Sequence, residues 1–161
     1  MSAATSKTCE NHARISPSER KKRKMPNRSI FLIDDDKSWN FLHETTIVRA
    51  GIRLDVCTFE NPSVALAMLG DMAATDFRVI PEVIFLDINM PVLDGWDFLD
   101  EYGKLPRYVQ DACRVFVVSS SVNDSDLAKA GTYPSVAGFI SKPLEVKVLH
   151  EIFNFQTKLV A

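Results

Sequence analysis

Four short apolar runs recur along the chain, and each leads into polar residues able to do chemistry. Ile30-Phe31-Leu32-Ile33 stops at Asp34-Asp35-Asp36, Val83-Ile84-Phe85-Leu86 at Asp87, and Val115-Phe116-Val117-Val118 at Ser119. Ala137-Gly138-Phe139-Ile140 ends just before Ser141-Lys142. Runs without apolar/polar alternation are the mark of strands buried on both faces, and so of a parallel sheet. Leu54-Asp55-Val56-Cys57-Thr58 does alternate, as an edge strand would. Helical stretches fall between the runs. Trp39, Leu42, Thr46 and Ala50 lie on one stripe, closed by Gly51. Asn61-Pro62 opens a second helix containing Val64, Leu66, Ala67 and Leu69. Trp96, Phe98 and Leu99 sit in a third; Asp124 or Ser125 caps a fourth that ends at Gly131. The last carries a core stripe of Leu144, Val148, Ile152 and Phe155, with a second apolar stripe, Val146, Leu149 and Phe153, opposite it. Residues 71–82 read as a long connection without a role.

Strands alternating with helices predict an α/β domain with a doubly wound five-stranded parallel sheet. Right-handed crossovers leave few topologies, of which strand order 2-1-3-4-5 puts the alternating second strand at an edge. In such sheets ligands bind beyond the carboxyl ends of the strands, at the point where the winding reverses. The predicted strand ends deliver Asp34 and Asp35, Asp87, Ser119 and Lys142 to that place. Clustered carboxylates repel one another unless a cation or a raised pKa relieves them. A hard divalent ion with oxygen ligands suits them, Mg²⁺ by default, and the lack of His or Cys at these ends argues against zinc. A metal, a lysine and a hydroxyl around one aspartate make a phosphoryl site with Asp87 as nucleophile. Lys142 then acts as a point charge on a phosphoryl oxygen, Ser119 as a hydrogen-bond donor, and Asn89 offers a backbone carbonyl to the metal. Each feature alone has an ordinary reading: an acidic helix start, a turn aspartate, a serine loop, a Lys-Pro helix start. Four successive strands all ending this way do not.

Charge divides the chain. Residues 1–28 carry +6 and the remainder −8. The first part has no periodicity and contains Arg20-Lys21-Lys22-Arg23-Lys24, so it reads as a disordered basic arm. No apolar run approaches the roughly 20 residues of a membrane helix. Cys57 and Cys113 read as small buried hydrophobes, and His43 as an ordinary helix histidine.

With these motifs in view, residues 29–157 resemble the receiver domain of two-component response regulators. The resemblance is carried by Phe31-Leu32-Ile33-Asp34-Asp35-Asp36, Ile84 to Gly95 (IFLDINMPVLDG), Val117-Val118-Ser119-Ser120 and Phe139-Ile140-Ser141-Lys142-Pro143. It implies a flavodoxin-like receiver fold over 29–161 and a phosphoacceptor at Asp87. It also implies an Mg²⁺ pocket from Asp34, Asp35, Asp87 and the Asn89 carbonyl, switch residues Ser119 and Phe139, a phosphate-contacting Lys142 and a cis Lys142-Pro143 bond. Asn89 and Ser121 stand where the family tunes hydrolysis of the aspartyl phosphate.

The implied donor is a sensor histidine kinase or a histidine phosphotransfer protein. Phosphorylation is expected to remodel the surface of the fourth helix, fifth strand and fifth helix, where the second apolar stripe offers a face for a partner or a homodimer. No output domain is expected after the last helix. The chain therefore reads as a stand-alone cytoplasmic receiver, an adaptor or a phosphorelay intermediate. It would not be an enzyme beyond catalysing its own phosphorylation and slow dephosphorylation. The alternative is a receiver-like interaction module that is never phosphorylated. A haloacid-dehalogenase-type phosphatase normally carries a second Asp where Asn89 stands, and specific nucleic-acid binding lacks a recognition helix.

Overall fold

Every residue of β1 (Ser29–Ile33) and of β3 (Val83–Asp87) is buried, as unbroken apolar runs require. With β2 (Asp55–Phe59), β4 (Arg114–Ser119) and β5 (Val136–Ser141) they form one parallel sheet of order β2-β1-β3-β4-β5. The computed structural model describes residues 28–157. The basic arm thus lies outside the described residues except for Arg28, whose guanidinium pairs with Glu82 at 2.5 Å. Around the sheet run α1 (Lys37–Arg49), α2 (Pro62–Thr75), α3 (Gly95–Tyr102), α4 (Arg107–Ala112), α5 (Asp124–Ala130) and α6 (Val146–Thr157).

Successive strand residues point to opposite faces, so the sheet separates two cores. Phe31, Ile33, Ile84, Leu86, Val115 and Val117 pack with Leu69, Phe98, Leu99 and Tyr102 from α2 and α3. Ile30, Leu32, Val83, Phe85 and Val118 pack with Ile47 of α1 and with Leu149 and Ile152 of α6. Cys57 and Cys113 are both buried.

Several sequence expectations need correction. There are six helices among the described residues where five were expected, because α4 is too short to show a periodic stripe. The supposed connection at 71–82 holds the end of α2 and a 3-10 turn at Phe77–Val79. The buried face of α1 is Asn40, His43 and Ile47, whereas Leu42 is exposed. Asn40 Nδ2 donates to the carbonyls of Asp34 (2.9 Å) and Phe59 (3.3 Å), which turns the helix one residue away from the apolar stripe. In α2, Ala65 and Leu69 are buried and Val64 is exposed. Asn123 caps α5, through a bond from Asp126 N–H. β5 stands at the second edge, as the expected order 2-1-3-4-5 requires, but it is only partly covered where its run read as buried on both faces.

The stripes of α6 are also rearranged. Leu144 precedes the helix, and it and Ile152 are buried as the core stripe requires. Leu149, assigned to the second stripe, is fully buried with Ile152, while Val148 and Phe153 pack at the margin. The apolar face expected to receive a second copy is therefore largely interior. Phe155 lies outside the described side chains.

Candidate functional site

Asp34 directly follows β1, Asp87 is the last residue of β3, Ser119 ends β4 and Lys142 follows β5. Parallel register aligns these ends: Asp87 pairs with Val118 and Ser119 with Ser141. Carboxylate oxygens of Asp34, Asp35 and Asp87 lie within 4.8 Å of one another. Asp34 and Asp87 are buried and Asp35 faces out. The Lys142 side chain is 4% exposed; its Nζ stands 2.5 Å from Asp34 Oδ2 and 3.3 Å from Asp87 Oδ1. The Lys142–Pro143 peptide is cis, as the resemblance implied.

Local structure fixes each group. Asp36 caps α1 by accepting from Ser38 N–H at 2.8 Å, and Asp34 Oδ1 accepts from Asp36 N–H at 2.9 Å. Asn40 ties the same loop to β2, as described above. On the other side Asp94 caps α3 in a reciprocal box with Asp97. Gly95 packs directly behind the acidic strand end. A Cβ on it would lie 2.6 Å from both the Asp87 carbonyl oxygen and Ile88 Cα, so only glycine fits.

Burial raises the Asp87 pKa above the ordinary carboxylate range. Lys142 opposes that rise and the Asp34 charge adds to it. The donor set is three carboxylates in reach of one another with one buried ammonium, so negative charge exceeds positive charge in the notch. Oxygen-only donors of this kind fit Mg²⁺. A group attached to Asp87 would meet Lys142 on one side and the β4 end on the other.

Ser119 is fully buried. Its hydroxyl donates to the Ser121 carbonyl at 2.9 Å and accepts from Asn89 Nδ2 at 3.3 Å. The Asn89 side chain therefore bridges the β3 and β4 loops. Phe139 is half-buried on β5 against the α3-side core. Of the seven residues singled out from the sequence, six stand at or just past the carboxyl ends of the strands and Phe139 lies within β5 opposite Val117; the acidic groups and Lys142 converge.

Two neighbours were not singled out as site residues. Asn40 lies off the predicted helical stripe, and Trp39 lies on it. Trp39 lies over Lys142, with Nζ 4.9 Å from its ring centroid. His43 packs against Trp39 in a tilted arrangement, with ring centroids 5.5 Å apart. The aromatic residue in the first turn after the aspartates was the available signal.

The chain matches the response regulator receiver domain family over residues 30–154. It is similar to a two-component response regulator from Cytophaga hutchinsonii, at 30% identity and a TM-score of 0.74, covering 84% of this chain and 99% of that one. A response regulator receiver protein from Dyadobacter fermentans is 31% identical, with a TM-score of 0.71 and coverage of 80% and 96%. A Vibrio cholerae chemotaxis protein shares the fold at 20% identity and a TM-score of 0.56, over 82% of this chain and 98% of that one. No curated protein matches the chain.

Proposed function

The chain belongs to the response regulator receiver family, and from that premise we propose that Asp87 accepts a phosphoryl group from a phosphohistidine donor. The donor is a sensor histidine kinase or a histidine phosphotransfer protein. The observation that carries this reading is the single buried ammonium, Lys142, shared between Asp34 and Asp87 at 2.5 and 3.3 Å. A lysine so placed can follow new negative charge without leaving the notch.

In the transfer, an Asp87 carboxylate oxygen attacks phosphorus, the P–N bond to the donor imidazole breaks, and the imidazole keeps that electron pair. Asp34, Asp35, Asp87 and the Asn89 carbonyl would hold Mg²⁺, which when bound supplies charge neutralisation for the phosphoryl oxygens. Lys142 moves from Asp34 to a phosphoryl oxygen. Ser119 exchanges its bond to the Ser121 carbonyl for one to another phosphoryl oxygen, which frees Asn89. Phe139 turns toward the space that Ser119 leaves. The surface of α5, β5 and α6 then differs between the two states, and partners that bind one better shift the balance. The signal leaves by protein contact or by onward phosphotransfer.

Mass spectrometry of the chain treated with acetyl phosphate, with and without Mg²⁺, tests the reading. One phosphoryl group on the parent and none on Asp87→Asn is the expected result. A mass gain that survives the substitution would place the chemistry elsewhere, and no gain on the parent would leave an unphosphorylated interaction module.

A further inference from the structure

The environment of Lys142 has a third side. Two carboxylates hold the ammonium from within the notch, and the indole of Trp39 covers it from α1, 4.9 Å from Nζ to the ring centroid. The placement follows from the helix. Asp36 is the N-cap, so Trp39 is the third helical residue, and helical side chains lean toward the N-terminus. The N-terminus of α1 opens at the notch, and Trp39 therefore leans over it. His43, one turn later and 3% exposed, packs tilted against the indole, with ring centroids 5.5 Å apart, and limits its retreat. Its burial and the nearby Lys142 charge hold it neutral, with a pKa lowered to about 4, so no second cation competes for the ring.

We infer that Trp39 is a positioning residue for Lys142, holding the ammonium over Asp87 while it exchanges Asp34 for the incoming phosphoryl group; this rests on the phosphoacceptor reading above. At the exchange the lysine must loosen the 2.5 Å contact with Asp34. A buried ammonium that gives up one anion before gaining another is costly in a site of low polarity. The indole face is an uncharged partner that attracts the cation throughout and does not compete with phosphate for it. An aliphatic residue of similar size would fill the space without that attraction.

The test uses the full chain and acetyl phosphate at saturating Mg²⁺, with incorporation followed by intact mass. Trp39→Leu is expected to slow phosphorylation about fivefold and Trp39→Phe about twofold, in line with a desolvated cation–π contact. In a Lys142→Met background neither substitution should slow it further, because the group they act through is gone. Equal slowing with and without Lys142, or no slowing in the parent, would overturn the inference. If Trp39→Leu does not fold, as judged by its melting curve, Trp39→Phe carries the same comparison. A second readout needs no phosphorylation. The chain has two tryptophans, so in a Trp96→Phe chain the emission is that of Trp39. Lys142→Met should change that emission, and an unchanged spectrum would mean that the ammonium does not rest on the ring. Failure of the underlying reading looks different: the parent chain takes up no phosphoryl group while the Lys142→Met emission still changes.

Discussion

Asp87 is held at odds with its surroundings. Burial makes its charged form unfavourable, and the raised pKa expresses that preference for the neutral form. An acid whose folded pKa is raised contributes stability at low pH that is lost as pH rises through the folded value. Asp87→Asn should therefore melt at a higher temperature than the parent at pH 7, with the gap narrowing toward pH 4, while it loses phosphorylation. His43 titrates with the opposite consequence. Its folded pKa, lowered to about 4, lies below its unfolded value, so the unfolded chain binds the extra proton between those limits. Stability should fall by about 2 kcal/mol as pH drops from 7 to 4, and urea melts of His43→Gln should show a flatter profile over that window. Gly95 is a steric requirement: a methyl group would sit 2.6 Å from the Asp87 carbonyl. Gly95→Ala should cost about 2 kcal/mol in denaturant melts and slow incorporation at Asp87, because the strand end must move to admit it.

At the scale of elements, periodicity located the helices better than it oriented them. Leu149 shows why. The stripe read from Leu144 rightly buries Leu144 and Ile152, but Leu149, placed on the opposite stripe, is buried in the same core. Leu149→Ala should destabilise by about 3 kcal/mol, whereas Val146→Ala should cost under about 1 kcal/mol. A chevron or equilibrium melt giving the reverse order would return α6 to the orientation read from sequence. α1 was misjudged for a different reason: its buried face includes Asn40, which bonds two backbone carbonyls at the ends of β1 and β2. A polar residue buried for its hydrogen bonds looks, in sequence, like a solvent position. The strands were easier, since β1 and β3 are covered on both sides and their apolar runs are unambiguous. β5 also reads as an apolar run, and only its place at the end of the 2-1-3-4-5 order, not the run itself, marks it as partly covered.

Across the whole molecule, the sheet is a device for gathering charge at one end. Folding brings Asp87 to the adjacent Asp34 and Asp35, from which it is distant in the unfolded chain, so a cation that binds only the gathered set must stabilise the fold. Adding Mg²⁺ should raise the melting temperature of the parent in a concentration-dependent way, and Asp34→Asn should abolish most of that rise. Calorimetric scans with and without Mg²⁺ check both. No helix among the described residues is long and apolar enough to cross a membrane.

The sequence by itself determined that four apolar runs and one alternating segment pair in parallel, and that aspartates, a serine and a lysine stand at the ends of the runs. Both are local facts: a run buried on two faces must be apolar throughout, and the residue after it leaves the sheet at a fixed end. Only the tertiary structure decided which faces of α1 and α6 turn inward. It alone decided that Ser119 bonds Ser121 and Asn89, and that Trp39 closes over Lys142. Those depend on how far each helix rotates to satisfy buried polar groups, a balance among residues distant in the chain that no local pattern records.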